Sequence, residues 1–431
     1  MRVRQLLTMV LVLSGCGGMR GSGERSGTFP PPACDPGNGG IALPEGFCAV
    51  VVADVVAPRH MAVARNGDLF VSSRGRPNAT DPTERGGVFA LRDTTGDGKA
   101  DVRGFFGPEG GTGLRFHDGD LYFATNTAVL RYELEGELVP AGKPDTIVRD
   151  LPGPPGHVSK SIAFDDDRLF VDIGSPGNAC QPLDQERQAG VRGEDPCTQL
   201  DTRSGVWLFD AEEPHQTLAQ GRRWATGIRN AVAFAWNPRV EALYAVQHGR
   251  EQLAGWPGFT SQDDDVRVAE ELQRVDEGSD FGWPYCYFDL LANERVLAPE
   301  YGGDGRQVGR CADAGSPILT FPPHSAPNDL LFYTGAQFPA RYRGGAFLAF
   351  HGKGSPAAPG YRVAFVPFAG GSPAGNPETF AGGFAGADPA APAHRPMGLA
   401  EGPDGSLYIA DSRAGRIWRV MYTGVDRTTS E

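Results

Sequence analysis

Short stretches of alternating apolar and polar residues recur along the chain, most of them preceded by another strand-like stretch. Each begins at a turn or polar residue, runs through aliphatic and aromatic residues, and ends in small or polar residues. Alternation with a period of two is typical of strands, and the Gly, Asp and Asn residues between the stretches indicate antiparallel hairpins. We find no sustained helical periodicity. The six copies occupy residues 67–74, 119–126, 167–175, 241–249, 344–352 and 405–413.

Six matching hairpins spread over residues 60–413 predict an all-β protein with a six-bladed β-propeller fold. Residues 415–422 form a further strand-like stretch, which we expect to share a blade with residues 46–56 and so close the ring. A β-sandwich is the alternative architecture, but six matching hairpins fit it poorly. The predicted organisation is one propeller domain over residues 41–425, followed by a tail over residues 426–431.

The N-terminal residues follow a different pattern. Two arginines precede an apolar run over residues 6–13, and small residues and Cys16 follow it. The run is too short to span a membrane and indicates an export signal. The ending "LSGC" resembles a bacterial lipobox and predicts a lipoprotein-type signal peptide over residues 1–15, with lipidation of Cys16. A plain secretory signal is the alternative.

Export also defines the expected location of the protein. Residues 16–40 are rich in Gly, Ser and Pro, a composition that predicts a flexible tether. We therefore expect a bacterial lipoprotein on the periplasmic or outer side, which touches the membrane only through its N-terminal lipid.

Six cysteines remain when Cys16 is set aside. An even number in an exported protein argues for disulfides, although six cysteines allow 15 connectivities. The absence of a C-x-x-C pair argues against zinc and thioredoxin chemistry. Pairing of sequence neighbours is the simplest choice and predicts Cys34–Cys48, Cys180–Cys197 and Cys286–Cys311.

Cationic side chains are predicted to meet at one place in an otherwise acidic protein. The formal charge of −13 argues against a nucleic-acid partner, which needs a basic surface. In a propeller, the residues just before each inner strand gather at one mouth of the central channel. We expect His157, Arg229, Lys353 and Arg395 around this opening, where arginine forks suit carboxylates. The sequence thus predicts an anion site, with ordinary salt bridges and a filler loop histidine as the alternative.

Several stretches together resemble one enzyme family, the pyrroloquinoline-quinone-dependent soluble sugar dehydrogenases. "WATGIRNAVAFAWNP" is similar to the Arg-Asn strand of that family, and "EELQRVDEGSDFGWPYC" to its Gly-Trp-Pro signature. "VQHGREQ" resembles its metal-binding turn, "GHVSKSIAFDDDRLFVDIGSPGN" its segment with the catalytic histidine, and "HRPMGLAEGPDGSLYIAD" its last-blade strand. The likeness covers roughly residues 41–422 and is concentrated in these stretches.

The resemblance implies roles for particular residues. His157 would be the general base, and Arg229 and Asn230 would contact the quinone, Arg229 also assisting catalysis. Lys353 would bind a carboxylate of the cofactor, and Arg395 would stack on it or pair with it. Histidine, with an ordinary pKa of about 6.5, can accept the proton of a substrate hydroxyl near neutral pH.

The resemblance also implies a calcium ion, held partly by the backbone carbonyls of Gly249 and Arg250. The chain departs from the family pattern in three ways. The residue after Gly249 is arginine rather than proline, Ala393 replaces a second arginine, and the active-site glutamine of the family has no clear match around "GGTGL". The first departure places an additional cation near the predicted metal.

A second calcium candidate is the stretch "DTTGDGKAD", residues 93–101. Asp93, Asp97 and Asp101 with Gly98 resemble the first part of a D-x-D-x-D-G loop. Thr95 replaces the usual acid at the third position, and no glutamate follows at the twelfth. A solvated turn is the alternative, and a calcium ion here would be structural.

The predicted function is oxidation of a sugar or related polyol by pyrroloquinoline quinone with Ca²⁺. No haem-attachment C-x-x-C-H motif is present, so electrons would leave to a soluble or membrane acceptor. Two alternatives stay open. One is a calcium-dependent lactonase-type propeller hydrolase, and the other is a surface-anchored propeller that binds a ligand without catalysis.

Overall fold

A computed structural model describes residues 31–353 and 360–424 of the chain. The predicted signal peptide, the lipidation site Cys16, the first part of the tether and the C-terminal tail lie outside the described residues. No helix in these two ranges is long and apolar enough to cross a membrane.

The described chain contains six four-stranded antiparallel sheets, which confirms the all-β, six-bladed propeller. Each sheet is one blade, numbered here in chain order. Blade one consists of Pro58–Val63, Leu69–Ser73, Gly87–Arg92 and Val102–Phe106. Blade two consists of Gly111–His117, Asp120–Thr125, Val129–Tyr132 and Asp145–Val148. Blade three consists of Ile162–Asp165, Arg168–Ile173, Gly205–Asp210 and Arg222–Thr226.

The other three blades follow the same plan. Blade four consists of Ala233–Asn237, Ala242–Gln247, Glu270–Arg274 and Leu319–Phe321. Blade five consists of Pro327–Phe332, Ala346–Phe350, Arg362–Val366 and Glu378–Ala381. Blade six consists of Pro396–Glu401, Leu407–Asp411, Arg416–Tyr422 and, from the N-terminus, Phe47–Asp54.

The six sequence copies are the second strands of the six blades. These strands lie between two neighbours in their sheet and are buried almost throughout, as in the all-buried strand Leu69–Ser73. The strand before each copy is the first of its blade, and the six first strands contact one another in ring order around the central axis. The apolar run recurs in the sequence because the second strand of every blade is buried between two neighbouring strands.

Ring closure occurs where the sequence predicts it. Phe47–Asp54 pairs antiparallel with Arg416–Tyr422, so that Phe47 lies opposite Tyr422. Phe47 and Trp418 are buried in one cluster with residues of blade five, which fastens the first strand to the last blades. The two ends of the propeller are thereby joined within one sheet.

All three predicted disulfides are present, at Cys34–Cys48, Cys180–Cys197 and Cys286–Cys311. The first corrects the predicted extent of the tether. Cys34 fixes the following 3-10 turn Pro36–Gly40 to blade six, where Trp418 Nε1 donates to the Gly39 carbonyl at 3.2 Å. The segment from Cys34 onward is therefore packed against the propeller.

Helical structure is limited to one α-helix, Ser261–Val266, and short 3-10 turns in the described ranges. Two β-ribbons decorate the blades, Cys286–Asp289 with Glu294–Leu297 and Phe368–Ala369 with Ser372–Pro373. The remaining 3-10 turns are Pro82–Glu84, Thr198–Asp201, Leu253–Gly255, Pro299–Tyr301, Gly309–Asp313 and Ala340–Tyr342.

Candidate functional site

A cavity of about 410 Å³ lies at the mouth of the channel where the first strands of blades three to six begin. His157 precedes the first strand of blade three, and Arg229 and Asn230 precede that of blade four. Every predicted residue of the quinone and calcium site lines this one cavity: His157, Arg229, Asn230, Gly249, Arg250, Lys353 and Arg395.

His157 is held in one orientation by Ser175. The Ser175 carbonyl accepts a hydrogen bond from the backbone N–H of His157 at 3.0 Å, and it lies 2.8 Å from Nδ1 of the ring. Because a carbonyl can only accept, Nδ1 carries the proton and Nε2 keeps its lone pair. Burial, together with the charges of Arg229 and Arg187, holds the pKa of His157 well below its ordinary value. The imidazole is therefore neutral at neutral pH.

Arg187 is a cavity residue that sequence reasoning missed. Its Nη2 lies 3.3 Å from His157 Nε2, and its Nη1 lies 3.9 Å from Glu251. Arg187 belongs to the loop closed by the disulfide Cys180–Cys197, in which its backbone N–H donates to the Gln181 side chain at 2.7 Å. This loop has no periodic pattern and no counterpart in other blades, so the sequence carried no signal for it.

Arg229 lies beneath the cavity and is 5% exposed. Its Nε donates to Asn178 Oδ1 at 3.2 Å and its Nη1 donates to the Gly249 carbonyl at 2.9 Å. Burial lowers the pKa of Arg229 to about 10, so the guanidinium stays charged at neutral pH. Among the described residues it has no carboxylate within 4 Å.

Asn230, the next residue, presents an unpaired polar atom. Its Oδ1 is buried and has no hydrogen-bond partner in the described part of the chain. Buried side-chain oxygens are paired in the large majority of cases, and an exception is expected where a ligand supplies the donor. Asn230 Oδ1 is thus a candidate acceptor for a bound molecule.

The two remaining predicted cations reach the cavity from blades five and six. Lys353 is 48% exposed, and its Nζ lies 3.0 Å from Glu251 Oε1. Arg395 donates through Nε to the His351 carbonyl at 3.0 Å and through Nη2 to the Gly352 carbonyl. Like Arg229, Arg395 has no carboxylate partner within 4 Å in the described ranges.

The turn after the second strand of blade four presents the predicted calcium ligands. Gly249 is required here because a Cβ would lie 2.6 Å from the Ala269 carbonyl. The Gly249 N–H donates to the buried Glu270 at 2.9 Å. Burial raises the pKa of Glu270 to about 7, which leaves this carboxyl partly protonated near neutral pH.

Arg250 is paired away from the cavity. Its guanidinium makes two hydrogen bonds to Glu300, at 2.7 and 2.8 Å, and the two side chains are 3% and 2% exposed. Glu300 thus neutralises the charge of Arg250, the additional cation that the sequence predicts near the metal. The charge of Arg250 is therefore balanced by Glu300 and would not repel a cation bound at the backbone of the turn.

Three histidines besides His157 surround the cavity. His248 and His324 line it, and His351 lies beside it. His248 Nε2 contacts the Pro327 carbonyl at 2.7 Å, and burial lowers the pKa of His248 to about 4. His324 contacts Asp265 at 3.1 Å. His248 stands in the stretch "VQHGREQ" that the sequence singled out, whereas His324 has no such signal.

The second calcium candidate is a turn whose aspartates are hydrogen-bonded to its own backbone, and it stays a prediction. Asp93 accepts from the N–H groups of Gly96 and Gly98, each at 2.7 Å, and Asp101 accepts from the Thr94 N–H at 3.0 Å. The three aspartates do not bring a carboxylate oxygen each within 4.8 Å of the others. The stretch is a turn held by its own hydrogen bonds.

The residues present fit a polyanionic quinone and an oxygen-bound cation. Arg229 and Arg395 are cations without a carboxylate partner among the described residues, and Asn230 offers an unpaired oxygen. Arginines of this kind bind carboxylates. The Gly249 carbonyl already faces a cation, Arg229, and carbonyl oxygens are ligands that Ca²⁺ accepts.

Comparison with solved structures finds the same fold in known proteins. The chain resembles the calcium structure of a Trichoderma reesei carbohydrate-active enzyme of family AA12, with a TM-score of 0.70 and 18% identity over 89% of this chain and 97% of that one. It also resembles the holo form of the pyranose dehydrogenase PQQ domain from Coprinopsis cinerea, with a TM-score of 0.68 and 16% identity over 88% and 97% of the two chains. At these identities the likeness establishes the fold.

Sequence comparison extends the match to a family. An uncharacterized protein of Borreliella burgdorferi is 28% identical over 200 residues, which are 46% of this chain. The matched region spans about half of that relative, 48% of its length. The family described as TrAA12-like matches residues 41–423, which include all six blades and every residue lining the cavity. The chain belongs to the TrAA12-like family.

Proposed function

We propose that this protein oxidises a sugar or a related polyol, with pyrroloquinoline quinone and Ca²⁺ bound in the cavity at the channel mouth. The observation that carries the proposal is the convergence of a neutral, oriented histidine with two arginines, the buried Arg229 and the half-buried Arg395, that have no carboxylate partners among the described residues. The likeness to the holo form of a pyranose dehydrogenase PQQ domain supports it.

The cations of the cavity account for binding of the cofactor. Pyrroloquinoline quinone carries several carboxylates, which suit Arg229 and Arg395 because each guanidinium can offer two parallel N–H donors. Lys353, which is half exposed, would exchange its contact with Glu251 for a contact with a further carboxylate of the cofactor. Asn230 would accept a hydrogen bond through its unpaired Oδ1.

The carbonyls of Gly249 and Arg250 would hold the calcium ion. Pairing of Arg250 with Glu300 removes the repulsion that its charge would exert on Ca²⁺. When bound, the quinone would supply a hydride acceptor and the calcium ion a Lewis acid.

His157 would accept the hydroxyl proton of the substrate at Nε2. The hydrogen bond from Nδ1 to Ser175 directs this lone pair toward the cavity. Arg187 Nη2 donates to Nε2 at 3.3 Å, so a substrate hydroxyl would take the place of this guanidinium at Nε2. Its charge also favours release of the accepted proton, because an imidazolium beside two arginines is destabilised.

Electrons would leave to a separate soluble or membrane acceptor. We place this reaction in an exported lipoprotein, anchored through Cys16 on the periplasmic or outer side of the membrane. The charge of −13 and the cationic lining of the cavity are consistent with a small anionic cofactor as partner, and not with a nucleic acid.

The hydrolase alternative is less consistent with the lining of the cavity. Calcium-dependent propeller hydrolysis needs a cage of carboxylates and amides around the metal, and the two acids that line the cavity are already engaged. Glu251 contacts Lys353, and Glu270 accepts backbone N–H groups of Gly249 and Ala326. A binding propeller without catalysis remains the competitor that an experiment must separate.

Reconstitution tests the proposal directly. Purified protein is incubated with pyrroloquinoline quinone and Ca²⁺, and the absorbance of the reduced cofactor is followed after addition of aldoses and polyols. We expect binding of the quinone and reduction by at least one sugar. Binding without reduction across the panel would favour the binding propeller, and no binding would overturn the enzymatic proposal. His215→Asn, at an exposed histidine outside the cavity, is the matched control for histidine variants.

A further inference from the structure

A second cluster of potential ligands lies at the other end of the propeller. His117 ends the first strand of blade two, and Asp118 begins the hairpin turn that follows it. Asp167 stands in the corresponding turn of blade three, between Ile162–Asp165 and Arg168–Ile173. One ligand atom from each residue lies within 4.8 Å of the other two. First strands begin at the quinone-site mouth, so their ends place this cluster on the opposite side.

The imidazole of His117 is fixed before any ligand binds. Its ring stacks on Phe164, with centroids 4.5 Å apart and planes 6° apart, and meets Tyr122 edge-on at 5.8 Å. The side chain is 10% exposed. Two aromatic neighbours therefore hold the ring, and binding would cost little of its conformational freedom.

The Nε2 atom of His117 has no hydrogen-bond partner within the described part of the chain. It is buried without a hydrogen bond and lies 3.9 Å from Asp118 Oδ2, too far for a hydrogen bond. A buried ring nitrogen normally pairs with a donor, an acceptor or a metal. Its position next to two carboxylates points to a metal.

The two carboxylates are available to such a metal. Asp118 is 82% exposed and Asp167 is exposed as well. No lysine or arginine nitrogen of residues 31–353 and 360–424 lies within 4 Å of either one, so neither charge is neutralised by the protein. Their exposure leaves both side chains free to turn inward, from the observed separations to the roughly 3.3 Å between ligands of a tetrahedral ion.

We propose that His117, Asp118 and Asp167 bind a divalent zinc ion that joins the turns of blades two and three. One imidazole nitrogen and two carboxylate oxygens are ligands that Zn²⁺ accepts, and a water would complete four-coordination. Hard ions such as Ca²⁺ need six to eight oxygens, which this cluster does not supply. The bound ion would neutralise the facing carboxylates and link two neighbouring blades.

Calorimetric titration of the whole disulfide-bonded protein with Zn²⁺ tests the proposal. Metal is first removed with a chelator, and Ca²⁺ is then kept saturating so that sites for hard ions are filled. We expect one equivalent of Zn²⁺ to bind, and the Tm to rise by a few degrees at a hundredfold excess over Kd. The d–d absorption of Co²⁺, titrated in place of Zn²⁺, should show the intensity of a four-coordinate site.

Variants test whether Zn²⁺ binds at His117 and Asp167 rather than at other histidines of the chain. His117→Phe keeps the stack on Phe164 but removes the nitrogen ligand, and Asp167→Asn removes a carboxylate; each should weaken Zn²⁺ binding at least tenfold. Asp166→Asn, in the same turn but outside the cluster, is the control and should bind as the native protein does. Zn²⁺ binding with the native Kd in both variants would overturn the proposal, as would no binding by the native protein. Neither result depends on the quinone.

Discussion

The two mouths of the central channel are formed by opposite ends of the same six first strands, yet they differ in chemistry. One holds the cavity with His157 and its neighbouring cations. The other holds a cavity of nearly the same size, about 400 Å³, with a largely apolar and aromatic lining that includes Phe116, Phe164 and Trp236. The strands that build both mouths are alike, so the strands themselves do not decide the chemistry.

The connections between strands account for the difference. At the aromatic mouth, the first and second strands of blades two and three are joined by tight turns of two residues, 118–119 and 166–167. At the cationic mouth, the second and third strands of blades three and four are separated by residues 174–204 and 248–269. Long loops on a rigid scaffold commonly carry binding and catalysis. Arg187, Gly249 and Glu251 all come from these two loops.

A polar layer separates the two mouths. Arg115 of blade two reaches Asp329 of blade five, on the opposite side of the ring, at 3.2 Å. His60 of blade one contacts the carbonyl of Asn328 at 2.9 Å. Asp329 is fully buried and also accepts the Leu399 N–H at 2.8 Å. Because this layer is anchored by strand backbone, we expect changes at one mouth to leave the other unaffected.

Removal of the base His157 from the cationic mouth should have the largest effect on the rate of sugar oxidation. His157→Ala should lower the rate of sugar oxidation by about 10²- to 10⁴-fold, the usual contribution of a positioned base. Quinone and calcium binding should persist because Arg229, Lys353 and Arg395 remain. Steady-state kinetics of the reconstituted protein measure the first effect and equilibrium titration the second. An undiminished rate in His157→Ala would mean that His157 is a loop residue without a catalytic role. The control His215→Asn should leave the rate unchanged.

The buried ion pair Arg250–Glu300 beneath the cationic mouth should contribute more to stability than an ion pair at the surface. Glu300→Gln leaves the guanidinium of Arg250 buried without a counter-charge, which should lower the free energy of unfolding by about 3–5 kcal/mol. Urea unfolding with the disulfides intact measures it. The matched control is Glu378→Gln, because Glu378 pairs with Arg341 at the surface and should cost less than about 1 kcal/mol. Equal losses of unfolding free energy in Glu300→Gln and Glu378→Gln would mean that another group balances the charge of Arg250.

Lys353 should affect cofactor binding before it affects turnover. Lys353→Met removes a half-exposed charge, so we expect quinone affinity to fall about tenfold, with kcat unchanged at saturating quinone. Fluorescence or absorbance titration gives the affinity, and kinetics at several quinone concentrations give kcat. Lys143→Met, at an exposed lysine remote from the cavity, is the control. A fall in kcat that saturating quinone does not restore would place Lys353 in the chemical step.

The sequence predicted the propeller because its signal is local. The second strand of each blade is buried between two neighbours, so the aliphatic and aromatic run is long enough to recognise, as in Ala346–Phe350. The turns that follow the first strands have two to five residues in five of the blades, and only blade five has a longer connection, residues 333–345. Each hairpin therefore lies within a short stretch of sequence. The three disulfides were also predictable because each closes a loop of 25 residues or fewer.

The site was only partly predictable because its remaining contacts are not local. Arg250 and Glu300 are 50 residues apart, and only the folded chain brings the acid to the arginine. Asp93 and its neighbours had the composition of a calcium loop, but their oxygens accept N–H groups of the turn itself. Arg187 stands on a loop whose path is set by a disulfide and by the buried side chain of Gln181, neither of which leaves a periodic pattern.

Arg187 offers the finest test of the cationic mouth, since it should change the pH dependence of the reaction more than its rate. Burial is the largest cause of the low pKa of His157, and Arg229 and Arg187 lower it further. Arg187→Gln removes one of these charges, so the pKa of His157 should rise toward its ordinary value. A base acts only when unprotonated, and the acid limb of the kcat/KM profile should therefore move to higher pH, while the rate above that limb is retained. Arg192→Gln, an exposed arginine of the same loop, should leave the profile in place. Coincident profiles for the native protein and Arg187→Gln would mean that burial and Arg229 alone keep His157 neutral.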